Sequence, residues 1–297
     1  MAMRIGLAGT GPWARRTYAP ALAAHPGVEF AGVWGRRPEA AAELAAEFGV
    51  PAVEEYDELV ERCEAIAFAL PPEVQARYAV RAAEAGRHLV LDKPLAIEVD
   101  SARAVVEAVE RSGVRSSVLF TFRYREPTMS WIAEQAGRKD WYTARMDWLA
   151  SIFPLDGGEP AVDSPWRLEK GGLWDVGPHA LSVLEPVLGT ARVLAAVRGA
   201  GDLVHLTLGH ESGATSSVSL ALTAPAGAAG VDIAFRGGSG VATLPEVPAE
   251  GAESPADALA RALGEVVSGT PSACDARYAL HVTEVLAAAE GLLAGGA

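Results

Sequence analysis

The sequence predicts an α/β protein that begins with a doubly wound parallel sheet, and three observations carry that expectation. A short apolar run at the start breaks into a glycine-rich turn, "RIGLAGTGPWARR". Strand-like and helix-like stretches then alternate as far as Phe122. Beyond it the texture changes to strands separated by Gly-rich turns, with two amphipathic helices at the end. The chain therefore divides into domains at 1–122 and 123–297.

Taken in order, the first strand enters a helix through the glycine turn. "VEFAGVW" is strand-like, and "PEAAAELAAEFG" is a helix with Pro38 near its start and Gly49 as its C-terminal stop. "EAIAFAL" reads as a buried strand, "EVQARYAVRAAEAG" as a helix closed by Gly86, and "HLVLD" as another strand. "SARAVVEAVERSG" and "VRSSVLFTF" complete the alternation. In the second domain "FRYREPTMSWIAEQAG" is a connecting loop and helix. "KDWYTARMDWLA", "ARVLAAVRG", "DLVHLTLGHESG", "ATSSVSLALT" and "GVDIAFRG" follow as strands. "SPADALARALGEVVSG" and "CDARYALHVTEVLAAAEGLLAGG" are the closing helices.

Composition narrows the function. The 297 residues allow two domains, each with its own core. A net charge of −13 argues against nucleic-acid backbones as partners, which need a basic face. No apolar run reaches the roughly 18 residues of a membrane span, and the N-terminus turns polar too soon for a signal peptide. Cys63 and Cys274 are the only thiols, far apart and without metal spacing, which points to a reducing cytoplasm and no disulfide framework. Lysine occurs only at positions 93, 139 and 170.

Gly9 and Gly11, with Ala14 in the third small position, form G-x-G-x-x-A between the first strand and its helix. The first glycine permits the tight turn and the second lets a pyrophosphate approach the backbone at the helix N-terminus. At the end of the second strand, "GVWGRRPEA" carries no acid from Val33 to Pro38. A carboxylate there would bind the ribose 2′-hydroxyl of NAD; Arg36 and Arg37 instead suit a 2′-phosphate. NADP is therefore the preferred cofactor and NAD the alternative, with solvated loop arginines the blander reading. The strand "HLVLDKPLA" ends in Asp92-Lys93-Pro94, at the sheet edge where ligands of such folds bind. The proline biases Lys93 toward extended backbone, from which it could hydrogen-bond a substrate hydroxyl or simply face solvent.

"GLAGTGPWA", "LVLDKPLA" and "GGLWDVGPHALSVLEPVLG" occur in this order. With them the chain resembles the glucose–fructose oxidoreductase/inositol dehydrogenase (Gfo/Idh/MocA) family across nearly its whole length. The middle segment is similar to the family's Glu-Lys-Pro signature, with Asp92 in place of Glu, and the last to its Gly-Gly-x-x-x-Asp-x-Gly-x-His segment. The resemblance implies a Rossmann domain followed by an α/β domain on a largely antiparallel sheet, through which members form dimers or tetramers. It also implies hydride exchange between nicotinamide and a hydroxyl or ketone carbon of a sugar, cyclitol or similar polyol. The dinucleotide would be met by Gly9, Thr10, Gly11, Pro12, Trp13, Gly35, Arg36, Arg37, Leu70, Pro71, Pro72, Asp92 and Lys93. This chain departs from the family in placing Glu73 and Gln75 where Asn and His are frequent, and Ser182 where an aspartate is.

By the same resemblance Lys93, Asp175 and His179 form the catalytic trio. Histidine has the intrinsic pKa of a general acid/base, the lysine would bind the reacting oxygen, and the aspartate would hold the hydroxyl or tune the histidine. Pro178 suits a first helical position, so "HALSVLEPVLG" reads as a helix with Leu181, Leu184 and Leu188 inward. Gly171 and Gly172 would leave room for a ligand beside the backbone. Arg123, Tyr124, Trp166, Asp175 and His179 are candidate substrate contacts, as are Trp148 and Arg167, although these aromatics and arginines suit a core or interface equally. His205 and His210 are expected to face solvent, and His25, His88 and His281 carry no motif. Asp175 and His179 lack the neighbouring Cys, His or Glu of a metal site. Two rival readings remain: a redox-neutral lyase or hydrolase with tightly held NAD, and a non-catalytic dinucleotide-dependent regulator.

Overall fold

Residues 2–153, 155, 159–245 and 253–295 are described by a computed structural model. The first unit comprises Met1–Arg125 and Gly251–Thr283, the second Glu126–Glu250 and Glu284–Ala297.

The first unit opens with β1 (Met3–Ala8), a π-helical turn (Ala14–Tyr18) and α1 (Ala19–Ala24). Then come β2 (Val28–Trp34), α2 (Pro38–Phe48), β3 (Ala52–Val53), α3 (Tyr56–Arg62), β4 (Ala65–Phe68) and α4 (Pro72–Glu84). It continues with β5 (His88–Asp92), α5 (Val99–Ser112), β6 (Ser116–Leu119) and the short α6 (Thr121–Tyr124). All strand pairs are parallel, in the order β3-β2-β1-β4-β5-β6, the doubly wound Rossmann arrangement. Ile5, Leu7, Ile66, Phe68 and Leu89 are fully buried, as strands covered on both faces require. The expected helix stops operate: Gly49 takes φ 65° after α2, where its N–H bonds back to Ala45 and Ala46. The sequence reading did not anticipate β3 and α3, which at two and seven residues are too short to carry a period.

The second unit contains α7 (Thr128–Ala136), β7 (Trp141–Leu149), α8 (Pro165–Asp175), α9 (Gly177–Leu188) and β8 (Ala191–Arg198). It adds β9 (Val204–His210), β10 (Thr215–Ala221), β11 (Gly230–Gly237) and β12 (Gly240–Thr243), the last not anticipated from the sequence. The sheet runs β12-β11-β7-β10-β9-β8, antiparallel except for the β7–β10 pair. Ala144, Met146, Val218, Leu220, Leu208, Ile233 and Phe235 are buried by its alternating pattern. The opposite residues of the alternation, among them Arg145, Ser217, Thr207 and Asp232, are exposed, as are the apolar Leu194 and Val197 of β8.

The closing helices α10 (Pro255–Ser268) and α11 (Ala276–Gly295) depart from a split at 123. α10 and the first part of α11 group with the first unit. α10 starts at a Ser254/Asp257 capping box with Pro255 behind it. Its apolar stripe of Ala258, Leu259, Ala262, Leu263 and Val266 packs against α1, β5 and β6. Periodicity reveals such a stripe but not which sheet it covers. Among the described residues no helix is long and apolar enough to cross a membrane.

Candidate active site

The glycine turn after β1 is shaped by contacts that admit no side chain. Gly9 takes φ +136°, and a Cβ there would stand 2.3 Å from the Ala69 carbonyl oxygen, so the ends of β1 and β4 lie against each other. Its N–H donates to the Trp34 carbonyl (2.9 Å), tying the turn to the end of β2. Gly11 is the opposite case: a Cβ would meet nothing within 4 Å. The backbone is open there, just before Pro12 begins the helical stretch, which is the space a pyrophosphate needs. Gly35 packs on Thr10, where a Cβ would approach the threonine methyl to 2.5 Å. Arg36 and Arg37 are exposed beside it and lie outside the ion pairs found among the described residues. Beneath them Trp34 packs against Tyr56 (5.1 Å between ring centroids) and Tyr78 (4.8 Å), which stiffens the end of β2. Trp13 holds its indole Nε1 buried with no hydrogen-bond partner among the described residues. The turn, the open glycine and the free arginines fit a dinucleotide.

Two further candidate segments end neighbouring strands of the same sheet. Leu70 and Pro71 follow β4, and Pro72 opens α4. Lys93 follows β5, half-buried, in a cis peptide bond with Pro94, and its N–H donates to Asp92 Oδ1 (2.9 Å). The chain bends over residues 93–95. The residue that grips this turn is Gln75, fully buried on α4. Its Nε2 donates to the carbonyls of Asp92 (2.8 Å), Leu95 (3.2 Å) and Pro94 (3.3 Å), and its Oε1 accepts from the Asp92 N–H (3.0 Å). Tyr18 is buried in the π-helical turn, its hydroxyl without a partner among the described residues. Burial, and then the negative charge of Asp92, push that hydroxyl well above the usual tyrosine pKa.

In the second unit Asp175 ends α8 and His179 lies in the first turn of α9, both buried. The imidazole stacks on Trp148, with ring centroids 5.1 Å apart and planes 18° from parallel. Asp175 Oδ1 is ion-paired to Arg167 Nε at 3.0 Å. The guanidinium lies over Trp166, 4.5 Å from its ring centroid, and also donates to Ser164 Oγ (3.2 Å). Asp175 is therefore held by an arginine that the sequence motif does not include. Ser182, standing where the family has an aspartate, is fully buried and donates to the His179 carbonyl at 2.8 Å.

The glycine pair ahead of Asp175 has an internal cause. Gly171 breaks α8 with φ +62°, and a Cβ on Gly172 would lie 2.7 Å from the Ala221 backbone nitrogen. The pair lets α8 kink and touch β10; room for a ligand is not what these contacts demand. Asp202, in the turn between β8 and β9, holds the kink. Its carboxylate accepts from the N–H groups of Gly172 (2.7 Å), Leu222 (2.9 Å) and Thr223 (3.0 Å), and from Thr223 Oγ1 (2.6 Å).

Other candidates fall elsewhere. Tyr124 is buried within the first unit, its hydroxyl 2.7 Å from Glu265 Oε2 and 3.0 Å from both Ser117 and Ser272 Oγ, so it anchors α10. Arg123 precedes it in α6, half-exposed. His205 is exposed as expected, but His210 is only 8% exposed. Its ring nitrogens bond the Gly189 carbonyl (3.0 Å) and Ser216 Oγ (2.8 Å). Strand alternation turned it inward, and both nitrogens found partners there. Cys63 and Cys274 are buried, which pushes their thiols up to about 12 and about 11. Among the described residues no group of three or more His, Cys, Asp or Glu is arranged to hold a metal.

The two sheets and the strand-end turns define a class: a Rossmann dinucleotide-binding domain with an appended, mostly antiparallel second domain. Residues 3–120 match the model of the Gfo/Idh/MocA oxidoreductase family, NAD-binding Rossmann fold, so the first unit carries that family's dinucleotide-binding domain. The chain is 35% identical over 202 residues to dTDP-3,4-didehydro-2,6-dideoxy-alpha-D-glucose 3-reductase of Streptomyces violaceoruber, covering 66% of this chain and 58% of that one. It is 28% identical over 235 residues to D-xylose 1-dehydrogenase (NADP(+)) 2 of Haloferax volcanii, covering 75% and 70%. The chain thus spans less than two thirds of the length of that reductase. The fold is shared with WlbA dehydrogenase from Bordetella pertussis, solved with NADH and UDP-GlcNAcA (TM-score 0.84, 21% identity, 100% and 98% covered). It is shared equally with levoglucosan dehydrogenase, solved with NADH and levoglucosan (TM-score 0.84, 19% identity, 99% and 98% covered).

Proposed function

We propose that this chain is an NAD(P)-dependent oxidoreductase that interconverts a hydroxyl and a ketone on a sugar, cyclitol or similar polyol. The observation that carries the reading is the sharing of one sheet edge. The Gly9–Trp13 turn, the Leu70–Pro72 loop and Lys93 follow β1, β4 and β5, three adjacent strands. Gly9, Thr10, Gly11, Pro12, Trp13, Gly35, Leu70, Pro71, Pro72, Asp92 and Lys93 would hold the dinucleotide, which when bound supplies the hydride donor or acceptor. The substrate class is supported by the sugar reductase and dehydrogenases among the relatives, which also favour net redox over a redox-neutral or regulatory role.

Lys93 hydrogen-bonds the reacting oxygen and stabilises the negative charge that grows there. His179 takes the hydroxyl proton in oxidation and returns it in reduction. The Trp148 ring fixes the plane of the imidazole, and Arg167 keeps Asp175 in place to orient the substrate hydroxyl or the histidine. Trp166 and Arg123 are proposed as further substrate contacts; Tyr124 is withdrawn from that role because its hydroxyl is engaged with α10.

NADP is the preferred cofactor, on the exposed arginines Arg36 and Arg37 and the absence of an acid from Val33 to Pro38. A homodimer or homotetramer through the sheet of the second domain, in the cytoplasm, completes the proposal. The deciding experiment is cofactor titration followed by a panel of sugars, keto-sugars and cyclitols, read as nicotinamide absorbance. A substrate-dependent change is expected. No change with any member, in a protein that binds the dinucleotide, overturns the assignment.

A further inference from the structure

We infer that Gln75 is a positioning residue that sets the place of Lys93 and links it to the loop after β4. The inference rests on the catalytic reading of Lys93 given above. A glutamine amide has two donor hydrogens and two acceptor lone pairs. Here both ends are directed at one turn: Oε1 takes the Asp92 N–H, and Nε2 faces the carbonyl oxygens of Asp92, Pro94 and Leu95. These groups flank Lys93 on both sides in the chain, so its Cα is held between them. Gln75 is fully buried and belongs to the first turn of α4, which Pro72 opens. One side chain therefore couples two consecutive strand-end loops, one proposed to meet the dinucleotide and the other carrying the lysine.

The geometry distinguishes this from a generic core contact. A buried amide needs partners, and here all four lie in the single turn 92–95, with three carbonyls sharing the two Nε2 hydrogens. An apolar side chain would leave the Asp92 N–H and the carbonyls to find other partners, and the turn would shift to reach them. A carboxylate in place of the amide would turn oxygen toward carbonyl oxygens.

The low lysine content makes the test direct. Protein made with lysine 13C-labelled at Cε has only three side-chain resonances to resolve, from Lys93, Lys139 and Lys170. Lys93→Arg assigns the signal. Gln75→Glu is then compared with Gln75→Met and Gln75→Asn, neither of which adds a charge, each checked for a native-like Tm. The expected result is a displaced Lys93 resonance with the other two unmoved, and a kcat lower by about tenfold or more. Dinucleotide Kd should stay within about threefold. Should Gln75→Glu fail to fold, the two neutral variants decide. A folded variant with the Lys93 signal and kcat both unchanged overturns the inference. A displaced signal with unchanged kcat also overturns it as a statement about catalysis. Full activity in Lys93→Ala would instead remove the role of the lysine itself, an outcome separate from the resonance readout.

Discussion

Replacing Asp202 with alanine tests whether the turn between β8 and β9 holds the helix that presents Asp175. The carboxylate satisfies three backbone N–H groups, those of Gly172, Leu222 and Thr223, and the Thr223 hydroxyl. The hydroxyl can rotate to another acceptor, so its loss is small. The three amides cannot turn without moving the chain, and each donor left unsatisfied costs about 1 kcal/mol at the lower end for partly buried groups. Asp202→Ala should therefore destabilise the protein by about 3 kcal/mol, a large part of the stability of an ordinary domain. Asp202→Asn keeps one acceptor oxygen and should lose about half of that. Urea unfolding followed by tryptophan fluorescence measures both, and kcat should fall by at least about tenfold as the Gly171 kink relaxes. A loss below about 0.5 kcal/mol in Asp202→Ala, with normal turnover, would refute the reasoning.

Three other outcomes are expected. Lys93→Ala and His179→Ala should each slow turnover by about two to four decades, the usual scale for losing oxyanion or acid/base help; near wild-type rates in both would remove the mechanism. Arg36→Ala with Arg37→Ala should weaken NADPH at least about tenfold while leaving NADH within about twofold, so equal losses in a binding titration would remove the phosphate role. Burial holds the pKa of His25, His88 and His210 below the usual histidine value, so the unfolded chain takes up these protons first as pH falls. Their contribution to stability is present above about pH 6.5 and is lost as the pH drops through the lowered folded values. The urea midpoint should therefore decline from pH 7 to 5, and less steeply in His210→Gln; a midpoint that rises on acidification would contradict the sign.

Much of the architecture was legible because it is written in local patterns. The alternation of apolar strands and amphipathic helices announced the parallel sheet, and Gly9 and Gly49 stand where only their backbone freedom serves. Lys93 was visible as a rare residue at a strand end. Gln75 stood out only as a departure from the family pattern; its tie to the lysine turn was not legible, because it lies 17 residues before Asp92. Asp202 was invisible for the same reason, a single aspartate 30 residues beyond the glycine whose N–H it receives. Gly171 and Gly172 were noticed, but space for a ligand was inferred where close packing is the cause.

What the sequence determined alone is the order of elements, the chemistry available at each strand end and the family to which the motifs point. These follow from short-range properties: the period of apolar residues, glycine and proline dihedrals, and the intrinsic acidity of side chains. Tertiary structure decided which groups meet: Gln75 with the lysine turn, Arg167 with Asp175 and Tyr124 with α10 through polar bonds, and Trp148 with His179 through ring stacking. Each pairing except that of Arg167 with Asp175, which lie in one helix, joins residues distant along the chain. It exists because folding removes water from both partners, and a buried polar group must then be met by whatever the packing brings beside it.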